Sequence, residues 1–229
     1  DTLYLVGHQP MMPGHPRRYG FRGRGYSVLI LPVDTRKEPR LITSTPFYER
    51  DLFVQDVIYH DDVTFEIGRA ITQFGLERSD IGIVGMDIVS VDMFEDLKHE
   101  AVHARFHAAG DIVMNLRAMK SPYEIELLRT GAEIGDEVAM LLREFLKPGL
   151  REREVYQFIT AELTKRGVTG AFATCQSGWR SETAYDLVPA SDKVIEDGDM
   201  VHMEINGKYQ GYMIDVCRST VVGRASAEQ

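Results

Sequence analysis

The chain has 229 residues, 44% hydrophobic and 27% charged, so it can bury a full core and is not disordered in composition. Its formal net charge of −9 and pI near 5.3 exclude a general nucleic-acid or membrane-surface binder, because neutralising phosphates takes clustered positive charge. Two cysteines, Cys175 and Cys217, make neither a metal spacing nor a disulfide framework. With no signal peptide and no apolar run near the ~20 residues of a membrane span, a cytoplasmic location is expected.

The opening Asp1–Gly7 segment reads as a strand and lacks an initiator methionine, so the chain is expected to begin inside a larger domain. Residues 8–25 hold Gly, Pro, His and Arg without periodicity and read as a long loop. Arg17, Arg18, Arg22 and Arg24 cluster in it, either as guanidinium forks for a carboxylate or as a solvated surface. The apolar run Ser27–Val33 and a second run at Arg40–Thr43 predict a hairpin. Apolar spacing of three and four predicts helices over Thr64–Phe74 and Asp92–His107, with a short strand at Ile81–Gly85 between them, an α/β alternation. On the second of these helices His99, His103 and His107 would share one face, as a metal set or a packing stripe.

Ser121-Pro-Tyr-Glu124 supplies an N-cap, a first-turn proline and a capping-box glutamate, so a long helix starts there. Ile125, Leu128, Ala132, Ala139, Leu142 and Leu146 form its expected apolar stripe, and Lys147-Pro-Gly149 stops it. A second helix is predicted over Glu152–Lys165, with Val155, Phe158, Ile159 and Leu163 inward and Gly167 as its cap. Met200–Ile205 and Tyr212–Val222 read as strands of an antiparallel hairpin. Its register is open. A two-residue turn at Asn206-Gly207, the stronger local signal, pairs Glu204 with Tyr209. A turn around Tyr209 and Gln210 instead sets Glu204 opposite Asp215 and His202 opposite Cys217, with all four on one face.

Several segments in order resemble the creatinase and Xaa-Pro aminopeptidase family: Leu116–Ser121 with Glu124 and Glu126, Lys147–Val155, Gln176-Ser-Gly178, Glu196–Asp199, and Gly207–Tyr212 with Asp215, Arg218 and Gly223. The resemblance implies an α/β N-terminal domain (mixed sheet with helices) over 1–115, followed by an α+β pita-bread catalytic domain over 116–229, of which only the first part is present. It implies a homodimer and a small-molecule or short-peptide substrate. In the family's metallopeptidases two aspartates eleven residues apart bridge two divalent metals; here Glu204 and Asp215 keep that spacing, with Glu in the first place. Either they hold a divalent cation (Mn, Zn, Fe or Co), or no cofactor is bound, Glu204 serves as a substrate-binding strand residue and Asp215 pairs with a cation such as Arg218. Further family ligands, a histidine and two glutamates, would lie beyond Gln229.

The family histidine that follows Ser-Gly is missing, and Tyr185 stands nearest to its place; a phenol donates a hydrogen bond but is a poor base at neutral pH. His202 is the candidate base, since imidazole as a side-chain type changes charge near neutral pH, or else a satisfied strand histidine. Trp179 either lines the substrate pocket or packs. The expectation is a creatinase-like hydrolase of a C–N bond, with Glu204, His202 and Tyr185 catalytic and the four arginines and Trp179 holding substrate. The alternatives are a metal-dependent Xaa-Pro aminopeptidase or dipeptidase, and a non-catalytic binding member of the fold.

Overall fold

The computed structural model describes Leu5 and residues 25–44, 52–183 and 188–229. The chain divides into two compact units, Asp1–Met119 and Lys120–Gln229. No helix of the described residues is long and apolar enough to cross a membrane. The strand expected over residues 1–7 falls outside the described residues except at Leu5, which is helical rather than extended.

In the first unit β1 (Ser27–Ile30) runs antiparallel to β2 (Arg40–Thr43), as the hairpin reading predicts, and β2 runs parallel to β3 (Asp56–Tyr59). Helix α1 (Val63–Gln73) begins at Asp62, whose side chain accepts the Phe65 amide at 2.9 Å. It buries Val63, Ile67, Ala70 and Ile71 against Ile42 of β2. Strand β4 (Asp80–Ile83) pairs in parallel with β5 (Arg105–Ala108); between them lies α2 (Val91–Glu100), and α3 (Gly110–Ala118) follows β5.

The long helix expected over Asp92–His107 therefore stops at Glu100. The chain turns at residues 101–103 and re-enters as β5, where Arg105 and His107 both bond to Asp80 of β4, at 2.7–2.9 Å. That pairing outweighs helical spacing, and it separates the three histidines: His99 is on α2, His103 in the turn and His107 on a strand.

The second unit opens with α4 (Pro122–Phe145). Ser121 Oγ accepts the Glu124 amide at 3.3 Å while Glu124 Oε2 accepts the Ser121 amide at 2.6 Å, the reciprocal capping box. Its buried stripe is Gly131, Ile134, Gly135, Val138 and Leu142, rotated from the one its apolar side chains suggest; Ile125 and Ala132 are exposed. The glycines explain the rotation. A Cβ on Gly135 would lie 2.8 Å from Val216, and one on Gly131 would lie 3.3 Å from Ile214, so this face approaches a strand that no larger residue would allow so near.

Helix α5 (Glu152–Lys165) follows, with Val155, Ile159 and Leu163 fully buried and Phe158 stacked on Phe145 at 4.2 Å. Gly167 caps it at φ +79°. Three antiparallel strands complete the unit in the order β6 (Thr169–Ser177), β7 (Met200–Tyr209), β8 (Tyr212–Val221), with a 3-10 helix over Gly178–Thr183 after β6. One face of the sheet, with Ala173, Cys175, Val201, Met203, Ile205 and Ile214, packs on α4 and α5. The other face is polar.

Candidate active site

The hairpin turns at Gln210 (φ 47°) and Gly211 (φ 89°), with Tyr209 paired to Tyr212. Positive φ at both central positions is the two-residue turn that matches strand twist, and glycine at the second place makes it accessible. Both registers weighed from the sequence are thereby corrected. Asn206 and Gly207 lie inside β7, not in a turn, and Glu204 pairs with Cys217, not with Tyr209 or Asp215. Relative to the turn around Tyr209 and Gln210 every partner moves by two residues, an even slip, so the side-chain faces are unchanged.

Three rows cross the polar face from β6 through β7 to β8: Gln176, His202 and Ser219; Thr174, Glu204 and Cys217; Phe172, Asn206 and Asp215. The structure thus brings His202, Glu204, Asp215 and Cys217 to one side, with Glu204 and Asp215 diagonal neighbours. His202 Nδ1 lies 3.1 Å from Ser219 Oγ, and Cys217 Sγ lies 3.7 Å from Nε2 and 3.8 Å from Nδ1 of the same ring. Burial first, and then the Glu204 carboxylate, push the Cys217 thiol up, with Asp215 adding to the effect and Arg218 opposing it. These influences favour the protonated thiol beside the imidazole.

Asp215 does not pair with Arg218. Successive positions of β8 point to opposite faces, and Arg218 reaches Asp136 on α4 at 2.8 Å. Beside Asn206 the strand β6 is bulged between Thr169 and Phe172, and Gly207 leaves room for the chain there: a Cβ on it would collide with Val168 Cγ1 and lie 3.4 Å from Ala171 Cα.

Glu152, the first residue of α5, is wholly buried. Its Oε1 accepts from the Ser177 amide (2.8 Å) and hydroxyl (3.0 Å), and its Oε2 from the Ser191 amide (3.0 Å), the Ser191 hydroxyl (2.6 Å) and Arg180 Nε (3.1 Å). One carboxylate so ties the end of β6 to the 3-10 helix and to the segment before β7. Sequence reasoning gave it no role, although a carboxylate in the first turn after Lys147-Pro-Gly149 was the available signal. Trp179, on the 3-10 helix, is 69% exposed, with the Arg180 guanidinium carbon 5.8 Å from its ring centre. Glu124, besides its cap, accepts the Tyr212 hydroxyl at 2.7 Å; the Ser121 amide first and this hydroxyl second hold its carboxyl below the usual range. Tyr185, Arg17, Arg18, Arg22 and Arg24 lie outside the described residues.

A divalent metal fits these side chains poorly on their own. Among the described residues no group of three or more His, Cys, Asp or Glu is disposed to hold one. Glu204 and Asp215 offer two carboxylates, fewer than the three or four protein ligands of a zinc site.

An α/β unit followed by a unit in which two helices back one face of an antiparallel sheet, with acids and a histidine on the other, defines the class of pita-bread folds. The prolidase from Pyrococcus furiosus superposes with a TM-score of 0.78 at 27% identity, over 100% of this chain and 61% of that one. The recombinant prolidase from Thermococcus sibiricus does so with a TM-score of 0.80 at 26% identity, over 99% and 59%. Residues 126–229 match metallopeptidase family M24. Over 231 aligned residues the chain is 34% identical to an Xaa-Pro dipeptidase of Pyrococcus horikoshii, covering 100% of this chain and 59% of that protein. The chain belongs to the creatinase and Xaa-Pro peptidase family.

Proposed function

We propose that this chain carries part of the active site of a hydrolase that cleaves a C–N bond, amide or peptide, in a small carboxylate-bearing substrate, in the creatinase-like manner. The observation that carries the reading is the placing of His202 and Glu204 on one face of β7, with the imidazole steadied by Ser219 and Cys217. The peptidase relative and the family match support its coarser part, hydrolysis of a C–N bond.

In this mechanism His202 removes a proton from water as the water oxygen adds to the carbonyl carbon. The C–N bond then breaks, and the imidazolium returns the proton to the leaving nitrogen. Glu204, two residues along the strand, accepts a hydrogen bond from the attacking water and balances the imidazolium charge. Asp215 orients the substrate's amino end from the neighbouring row. Tyr185 donates a hydrogen bond, while Trp179 and Arg17, Arg18, Arg22 and Arg24 receive the substrate carboxylate. Residues 1–115 act as the N-terminal domain and 116–229 as the first part of the catalytic one. A homodimer belongs to the same proposal, as does a cytoplasmic location, which two free thiols suit.

A metal-dependent Xaa-Pro dipeptidase is the second reading. It is favoured by Glu204 and Asp215 keeping the eleven-residue spacing on one face, and by the 34% identical relative. Elemental analysis of full-length protein purified without chelators, combined with assays on Xaa-Pro dipeptides and on small amides, separates the two. Little bound metal and hydrolysis that survives chelator is the expected result. Two equivalents of Mn, Zn, Fe or Co, with activity lost to chelator, would establish the second reading, and hydrolysis of neither substrate class would leave a binding role.

A further inference from the structure

Two buried side-chain polar atoms lack a hydrogen-bond partner among the described residues, Thr64 Oγ1 and Asn206 Nδ2. Thr64 sits on α1 in the core of the first unit. Asn206 is different: it is only 3% exposed, yet it belongs to the polar face, directly opposite Asp215 and on the same side of β7 as Glu204. An unmade bond at a buried donor is costly, and such an atom calls for a reason. Its backbone is fixed on both sides. β7 runs unbroken against β8, and the next residue, Gly207, is locked against Val168 where β6 bulges.

A primary amide nitrogen offers only protons, so its missing partner is an acceptor. With Glu204 and Asp215 both adjacent, an anionic oxygen is repelled and a neutral carbonyl oxygen is accepted. We infer that Asn206 is a substrate-binding residue whose Nδ2 donates to the carbonyl oxygen of the bond to be cleaved. This rests on the reading of the face as the hydrolytic site. In that role Asn206 takes the oxygen on the reacting carbon and polarises it toward the attacking water.

The test uses the full-length protein with alanyl-proline and its thioxo analogue, in which sulfur, a weak acceptor, replaces the scissile carbonyl oxygen. Wild type should favour the oxygen compound. Asn206→Leu should lower kcat for alanyl-proline by roughly 10²-fold, with a smaller change in KM, and should shrink the preference for oxygen over sulfur. Asn206→Ser, which keeps a shorter donor and removes bulk, should retain an intermediate preference and guards against a folding defect in the leucine variant. An oxygen preference unchanged in Asn206→Leu would overturn the inference even if its overall rate fell. Should wild type fail to hydrolyse alanyl-proline, that dipeptide is not its substrate, and calorimetric binding of the same two compounds decides the role of Asn206. Tighter binding of the oxygen compound that depends on Asn206 would uphold it, and equal or absent binding would refute it.

Discussion

Glu152 shows how one side chain can hold a site without belonging to it. Fully buried, it accepts five hydrogen bonds from Ser177, Ser191 and Arg180, and Arg180 is itself largely covered. A buried ion pair does not by itself add much stability, but removing one partner leaves the other charge stranded. Glu152→Ala should therefore lower the unfolding free energy by about 3–5 kcal/mol, read by urea denaturation. A loss below ~1 kcal/mol would mean that the cluster is solvated and not a staple. His202 and Cys217 illustrate the opposite case, a contact that constrains chemistry more than stability. Partial burial and the Glu204 charge favour the protonated thiol, which lies 3.7 Å from the ring nitrogen Nε2.

At the scale of elements the packing of α4 on β8 sets where the polar face stands. Gly131 and Gly135, one turn apart, let the helix lie close to Ile214 and Val216. Alanine in a helix interior gains about 1 kcal/mol over glycine in propensity, whereas overfilling a packed contact costs about 1–3 kcal/mol. At Gly135 the added methyl would come within 2.8 Å of a stiff valine, so the clash should win and Gly135→Ala should destabilise. At Gly131 the approach is 3.3 Å to an isoleucine side chain, and Gly131→Ala should be neutral or mildly stabilising. Thermal melting of the two variants checks the contrast; equal shifts would show that the helix has room to move outward.

The whole molecule was legible where local chemistry agrees with the fold. Helices α4 and α5 announce themselves through Ser121, Glu124, Gly149 and Gly167, and both match their expected spans closely. Strand β6 did not, because Ala173–Ser177 is buried on both faces and shows no alternation. Strand β5 was hidden inside a helical spacing that only its partner β4 overrides. For the site, the sequence read with the family resemblance put His202, Glu204, Asp215 and Cys217 on one face, one of the two arrangements weighed. It missed their register, since Asn206-Gly207 is the stronger turn signal in isolation and only the pairing of β7 with two neighbours draws those residues into a strand. The buried amide of Asn206 and the Glu152 cluster were not legible either, because burial and partners arise from contacts distant in the chain.

The most direct test of the proposed hydrolytic face compares kcat for hydrolysis of small amides and Xaa-Pro dipeptides by the full-length protein and by its His202→Ala and Glu204→Gln variants. Both residues are half-buried strand positions, so the variants should fold. If the face is the hydrolytic site, kcat falls by roughly 10²–10⁴-fold in each variant with melting unchanged; variants that fold and keep wild-type kcat would place the chemistry elsewhere.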